Sequence, residues 1–286
     1  MPTSTTNPPP PPPAAPHDDA PAVVAPGFHR IRPCRYGLMI HNPRDAYIGR
    51  SLALYGEYSE GEVELFRHVL RAGDVAVDAG ANVGAHAVAM ARIVGPRGRV
   101  VAIEPQRVLF QALCGNAAVN SLTNIDARHA ALGAAAGTVR LPTPNYERPD
   151  NFGGLSLLGS TGGDETVAVT PLDALRLARC RLIKIDVEGM ETAALRGAIG
   201  AIERCRPFLY LEDDRPGQSA ELHALLASLR YAAWLHEPPY FNPHNYAGHG
   251  ENVFPRVVSR NLFCVPMESP FAVSGLRRIE LGELGE

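Results

Sequence analysis

Polar and glycine residues at regular spacing follow an apolar run in the first third of the chain. Asp78, Gly80, Asn82 and Gly84 come directly after Val75–Val77 and form the pattern D-x-G-x-N-x-G. A buried strand, a tight glycine turn and a helix start would leave backbone N–H groups and the positive end of a helix dipole facing a ligand. The pattern therefore predicts a nucleotide-like ligand, held by a turn that differs from the G-x-G-x-x-G of dinucleotide-binding proteins.

A second acid stands where it could contact the same ligand. Glu104 closes the apolar stretch Val101–Ile103, lies 24 residues after Gly80 and is followed by Pro105. At the tip of the next strand, such an acid could accept hydrogen bonds from both ribose hydroxyls of an adenosine group. The alternative is an ordinary surface glutamate, which would more often lie on an exposed helix.

A third acidic position ends a later apolar strand. Asp186 follows Ile183-Lys184-Ile185, and Glu188 comes two residues after it. At the carboxyl edge of a sheet, Asp186 could accept a proton, orient a nucleophile or bind a divalent cation. The alternative for both acids is that they cap the start of the next helix.

Three consecutive acids, Glu212, Asp213 and Asp214, follow the next predicted strand. Together with Asp186 they could supply the oxygen ligands of a magnesium ion. The alternative is a solvated acidic loop.

The loop from His236 to Tyr246 is rich in histidine, asparagine and aromatic residues. Its aromatic faces and amide groups suit an acceptor pocket for a hydroxyl compound, with His236 as a candidate general base. A proline-stiffened surface loop is the alternative. The stretch Glu237-Pro238-Pro239-Tyr240 also resembles the N/D-P-P-Y motif of adenine methyltransferases, but it follows the wrong strand for that role.

The elements around these residues alternate between strand and helix. Apolar runs predict strands over 75–78, 99–104, 125–131, 182–186, 208–211, 232–235 and 262–265. Helical spacing predicts one helix from just after Gly84 to about Val94 and others over 106–119, 189–204 and 219–229. Near-continuous apolar strands separated by helices indicate a parallel sheet covered on both faces. The irregular stretch 133–166 predicts a β-rich excursion with loops over the site.

The sequence divides into four predicted regions. Residues 1–26 form a proline-rich tail, 27–73 a hairpin and helix lead-in, 74–268 the main domain and 269–286 a C-terminal tail. The tail contains six consecutive prolines from Pro8 to Pro13 and predicts a disordered segment.

Composition excludes several classes of function. The formal net charge is -3, with 27 basic and 30 acidic residues and no run of either sign, which argues against a nucleic-acid-binding surface. No apolar run approaches the roughly 18 residues that span a bilayer. Five cysteines without a C-x-x-C pair are typical of a reduced, cytoplasmic protein.

The turn at Asp78 resembles the S-adenosylmethionine loop of class I methyltransferases, and the stretch after Ile185 narrows the resemblance. D-A-G-A-N-x-G at 78–84 and I-D-V-E-G-x-E at 185–191 are similar to the two motifs of the FkbM methyltransferase family, over about 36–266. The resemblance implies an α/β fold: a Rossmann-like three-layer sandwich with a seven-stranded, mostly parallel sheet and an antiparallel last strand. It implies S-adenosylmethionine as cofactor, held by Asp78, Ala79, Gly80, Asn82, Gly84, Glu104, Pro105 and Asp186. Asp186, Glu188 and His236 are the candidate catalytic residues.

The resemblance also implies a reaction, O-methylation of a hydroxyl on a sugar or other natural-product intermediate. An amine acceptor remains an alternative, as does a catalytically silent binding module on the same fold. A nicotinamide-dependent dehydrogenase would share the first two strands, but it would require the G-x-G-x-x-G turn.

Overall fold

The computed structural model describes residues 27–155 and 162–281, so the proline-rich segment 1–26 lies outside the described residues. The strands are β1 (Arg30–Cys34), β2 (Gly37–His41), β3 (Val75–Ala79), β4 (Arg99–Glu104), β5 (Ile125–His129), β6 (Ala131–Leu132), β7 (Gly137–Leu141), β8 (Glu165–Thr170), β9 (Leu182–Ile185), β10 (Phe208–Glu212), β11 (Tyr231–His236), β12 (Asn261–Pro266) and β13 (Arg277–Ile279). The helices are α1 (Ile48–Tyr55), α2 (Glu60–Val69), α3 (Ala85–Val94), α4 (Arg107–Val119), α5 (Glu191–Arg196), α6 (Ile199–Cys205) and α7 (Pro216–Ser228). None of these helices is long and apolar enough to cross a membrane.

The main sheet carries the order β13-β11-β12-β10-β9-β3-β4-β5. Strands β5, β4, β3, β9 and β10 are parallel neighbours, whereas β12 is antiparallel to both β10 and β11. The predicted Rossmann-like plan with an antiparallel strand from the end of the chain is therefore confirmed. The carboxyl ends of β3, β4, β9 and β10 meet at one edge, where ligands of such sheets bind.

The strand count is a correction. The described sheet has eight strands, one more than predicted, because β13 pairs with β11 through Ala233–Ile279 and two further positions. This strand lies within the predicted C-terminal tail, so the described part of that tail extends the sheet.

Both faces of the sheet are buried, which explains the continuous apolar strands. Val77 and Val101 pack in one hydrophobic cluster, and their chain neighbours Ala76 and Val100 pack in another on the opposite face. Successive side chains of a strand point to opposite faces, so a strand buried on both sides cannot alternate with polar residues.

The helix predicted over 189–204 is two helices, α5 and α6. Asp173 binds the start of α6: its carboxylate accepts hydrogen bonds from the backbone N–H groups of Gly200 (2.8 Å) and Ala201 (2.6 Å). These N–H groups belong to the first turn of α6, where backbone donors have no partners within the helix. Asp173 itself lies in a short 3-10 helix, Leu172–Leu175.

The predicted β-rich excursion is a separate three-stranded sheet, β6-β8-β7. The loop before the undescribed gap returns to the main sheet edge and is held at Phe152. The Phe152 N–H donates to Asp45 at 3.2 Å, and the Gln106 side chain donates to the Phe152 carbonyl at 2.6 Å. The excursion is thus fixed over the edge where the parallel strands end.

Candidate active site

The glycine turn after β3 is built from residues in left-handed backbone conformation. Gly80, Asn82 and Gly84 have φ values of +79°, +52° and +86°. The N–H groups of Gly80 and Ala81 both donate to the carbonyl of Ile103 on β4, at 2.9 and 3.0 Å. The turn is therefore tied to the neighbouring strand before α3 begins.

Gly80 lies directly against the backbone of Asp186. A Cβ atom at Gly80 would stand 1.7 Å from the Asp186 carbonyl oxygen, and the Asp186 N–H donates to Ala79 at 3.0 Å. Only glycine allows this approach. The contact brings the predicted proton acceptor beside the turn.

Glu104 stabilises the same turn from β4. Its carboxylate accepts hydrogen bonds from the N–H groups of Asn82 and Gln106, each at 2.8 Å. Burial raises the pKa of Glu104 to about 7 against these two hydrogen bonds. Each carboxylate oxygen can accept one further hydrogen bond, which a ribose hydroxyl could donate.

A cleft of about 310 Å³ opens at this edge of the sheet. This volume falls in the range of small-molecule sites, about 300–1,000 Å³. The predicted residues that line it are Gly80, Asn82, Glu104, Pro105, Asp186 and Glu188. The predicted residues Asp78, Ala79, Gly84 and His236 do not line it.

Asp78 lies behind the turn, fully buried, and faces a buried lysine that the sequence reading did not single out. Lys184 Nζ is 3.5 Å from Asp78 and 3.0 Å from Asp186. Burial alone would lower the pKa of the Lys184 ammonium, but Asp186, Asp78 and Glu62 together hold it above its ordinary value. Lys184 therefore remains a cation that joins the ends of β3 and β9. The sequence feature that could have identified Lys184 is a charged residue inside an apolar strand, on the same strand face as Asp186.

The structure places His236 outside the cleft. It ends β11, pairs in register with Asn261, and its Nδ1 lies 2.9 Å from the Tyr210 hydroxyl. Burial lowers the pKa of His236 to about 4. With that nitrogen engaged by Tyr210 and no contact with the cleft, we remove His236 from the set of candidate bases.

The acids after β9 and β10 sort into two groups. Asp186, Glu188 and Glu212 place carboxylate oxygens within 4.8 Å of one another. Burial and the neighbouring carboxylates raise the pKa of Glu212 to about 10. Asp213 instead turns to Ser219 and His223, and is not part of the group.

The predicted magnesium set of Asp186, Glu212, Asp213 and Asp214 is thus altered. In the described residues, Glu188 replaces Asp213 in the acidic group, and Asp214 lines the cleft without joining it. Carboxylate oxygens are suitable magnesium ligands. Glu188 is already paired with Arg215 at 2.5 Å.

Three tyrosines form a wall of the cleft, and only Tyr240 belongs to the loop singled out in the sequence. Tyr47 and Tyr58 come from the N-terminal lead-in. Tyr240 meets both rings edge to face, with centroids 5.6 Å from Tyr47 and 5.5 Å from Tyr58. No local sequence pattern connects residues so far apart in the chain.

The wall belongs to a larger assembly, which we call the cap and define as residues 30–62 and 237–260. The buried carboxylate of Glu57 joins its two segments by accepting hydrogen bonds from Arg35 (2.7 Å), Asn242 (2.8 Å) and the Tyr246 N–H (2.8 Å). The Tyr55 hydroxyl donates to the Glu251 carbonyl at 2.9 Å. The cap is therefore a preformed side of the cleft.

The strand order and the cleft at the carboxyl ends of the parallel strands define a class I methyltransferase fold. Residues 78–233 match the model of the methyltransferase FkbM domain. The chain belongs to this family. The matched region, 78–233, is shorter than the region of about 36–266 over which the motifs predicted the resemblance. Both cap segments lie outside the matched region.

The solved structures that are similar to the chain match it at low sequence identity. The chain is similar to methyltransferase FkbM from Methylobacillus flagellatus KT, with 19% identity and a TM-score of 0.47 over 77% of this chain and 55% of that chain. It is similar to the O-methyltransferase from Bacillus cereus in complex with SAH, with 14% identity and a TM-score of 0.43 over 73% of this chain and 80% of that chain. It is also similar to Trm5b from Pyrococcus abyssi, with 11% identity and a TM-score of 0.46 over 84% of this chain and 56% of that chain. The chain spans about half the length of the Methylobacillus protein. No curated protein matches.

Replacing Gly80 with alanine tests the contact with Asp186. We expect Gly80→Ala to lower the free energy of unfolding by about 2–5 kcal/mol, because left-handed strain adds to a steric clash. Gly73→Ala is the matched control, since Gly73 has φ +91° and open space around it. The control substitution should lower the free energy of unfolding by only about 1–2 kcal/mol. Urea unfolding measures both, and equal losses would contradict the proposed contact.

A pH-dependent prediction follows from Glu62, which is buried on α2. Burial raises its pKa to about 7 from 4.5, although Lys184 opposes the shift. Stability from this group is therefore fully present below pH 4.5 and is lost as the pH rises through about 7. Glu62→Gln removes this dependence and keeps the acceptor for the Ser59 hydroxyl.

As the pH rises from 4.5 to about 7.5, we expect the free energy of unfolding of Glu62→Gln to increase by about 1–3 kcal/mol relative to that of the unmodified protein. Urea unfolding at both pH values measures this change. Glu64→Gln, on the exposed face of the same helix, should show no such gain. Parallel pH curves for Glu62→Gln and the unmodified protein would show that Glu62 is not the titrating group.

Proposed function

We propose that the protein is an S-adenosylmethionine-dependent methyltransferase that transfers a methyl group to a hydroxyl of a small-molecule acceptor, such as a sugar or other natural-product intermediate. The observation that carries the proposal is the arrangement of Gly80, Glu104 and Asp186 on one cleft of an FkbM-family domain. The turn and the acid would hold the donor, and Asp186 would face the acceptor.

The donor side of the cleft has the groups that S-adenosylmethionine requires. Glu104 offers free acceptor positions to ribose hydroxyls, and Ile103, Ala130 and Leu132 supply an apolar surface for adenine. Gly80 and Asn82 lie where the amino acid portion would pass. When bound, S-adenosylmethionine supplies an electrophilic methyl group on its sulfonium.

Asp186 is the residue we assign to the acceptor proton. Its carboxylate is held on one side by Lys184 at 3.0 Å, and its side chain is 34% exposed toward the cleft. A carboxylate fixed in this way can accept the proton of a hydroxyl as the oxygen takes up the methyl group. Most of the rate acceleration would come from holding the two reactants in line. Glu188, paired with Arg215, would support this edge of the cleft.

An amine acceptor is the second candidate, and the cleft supplies a specific reason to keep it. Glu104, Asp186, Glu188, Glu212 and Asp214 all line it, which would also favour a cationic group. Acceptor screening should therefore include amines beside hydroxyl compounds.

Calorimetry tests the donor. We expect S-adenosylmethionine and S-adenosylhomocysteine to bind with a stoichiometry of about one, and NAD to show no binding, because the turn lacks G-x-G-x-x-G. NAD binding in the absence of S-adenosylmethionine binding would overturn the proposed function in favour of a dehydrogenase.

Asp186→Asn separates binding from catalysis. The variant keeps the size of the side chain but cannot accept the acceptor proton, so we expect transfer to fall by about 10²–10⁴-fold. Donor affinity by calorimetry should remain within about threefold of the unmodified protein. Asp214→Asn, at the exposed rim of the same cleft, is the matched control. Undiminished transfer by Asp186→Asn would show that another group takes the proton, and no transfer by the unmodified protein would favour a silent binding module.

A further inference from the structure

Two tyrosine hydroxyls meet on the tyrosine wall of the cleft. The Tyr58 hydroxyl donates a long hydrogen bond of 3.4 Å to the Tyr240 oxygen. Between residues 27–155 and 162–281, this is the one hydrogen bond made by the Tyr240 hydroxyl. Because the Tyr240 oxygen accepts, its own O–H proton is available to a molecule in the cleft.

Tyr240 keeps that proton at neutral pH. Burial raises the pKa of its phenol, and the carboxylates of Asp186, Glu62 and Glu212 add to the rise against the opposing hydrogen bond from Tyr58. Tyr240 and Asp186 both line the cleft, which therefore presents a hydrogen-bond donor and a hydrogen-bond acceptor to the same bound molecule.

The donor position is also fixed. The Tyr240 N–H donates to the Val257 carbonyl at 3.2 Å, and Pro239 pairs with Val258. The ring is held edge to face between Tyr47 and Tyr58. A hydroxyl on such a rigid support can discriminate between acceptors by position.

The chemistry of transfer decides which acceptor oxygen suits each group. The oxygen that is methylated must give its proton to a base and direct a lone pair at the methyl group. A hydrogen bond donated to that same oxygen would engage a lone pair and weaken the attack. Tyr240 therefore suits a second acceptor oxygen, close to the one that reacts.

We propose that Tyr240 is a specificity-determining residue, which donates its hydroxyl to an acceptor oxygen on the carbon next to the methylated position. This inference rests on the proposed function and narrows its substrate class to compounds with two vicinal oxygens. Tyr58 is a positioning residue that acts through Tyr240.

Paired acceptors test the inference. Catechol is compared with phenol, and methyl glycosides are compared with their monodeoxy analogues, in transfer from radiolabelled S-adenosylmethionine. We expect the unmodified protein to favour the vicinal compound in kcat/KM by roughly 2- to 12-fold, the equivalent of one net hydrogen bond. In Tyr240→Phe the ratio should approach one, through a rise in KM for the vicinal compound with kcat almost unchanged.

Tyr246→Phe is the matched control, because it removes a phenol hydroxyl from the same loop outside the cleft and leaves the backbone bond to Glu57 in place. It should keep the preference. Calorimetry with S-adenosylmethionine on each variant should give unchanged affinity, which shows that the donor site is intact.

The outcomes separate the inference from the proposed function. If transfer occurs and Tyr240→Phe keeps the preference for vicinal oxygens, the inference is overturned and the function stands. If the unmodified protein fails to bind S-adenosylmethionine, or binds it and methylates no compound in either series, the hydroxyl-methylating function is overturned and the inference with it.

Discussion

A buried ammonium governs the arrangement of the candidate site. Lys184 is 2% exposed and lies within ion-pair distance of both Asp78 and Asp186, at the ends of the two central strands. A charge removed from water costs several kcal/mol unless it is paired. Lys184 and the carboxylates around it therefore fix one another. The burial of Asp78 and the orientation of Asp186 depend on this compensation. Glu62 on α2 adds a further negative charge that raises the pKa of the ammonium.

The central part of the fold could be predicted because its constraints are local. Strands buried on both faces require continuous apolar runs, and glycine at 80 is required by the close approach of Asp186. β13 could not be predicted, because its three residues carry no apolar pattern and pair only through the edge of β11. At the start of α6, the N–H groups of Gly200 and Ala201 are bound by Asp173, which is distant in sequence.

The candidate site was only partly predictable, for a related reason. Gly80, Glu104 and Asp186 end strands, and the strand ends of a parallel sheet meet. His236 was assigned to a loop, whereas it continues β11 and pairs with Asn261, which takes it away from the cleft. Tyr47 and Tyr58 reach the cleft through the fold of the cap, which depends on contacts between segments almost 200 residues apart, such as Glu57 with Asn242.

The two cap segments lie on either side of the family-matched region, and the buried carboxylate of Glu57 is one of the groups that join them. Neither segment completes this wall alone, because Tyr58 comes from one and Tyr240 from the other. A chimaera that imports only one segment from a relative would leave mismatched halves and a buried acid without its partners. Replacing this wall with that of a related protein therefore requires the exchange of both segments as a unit.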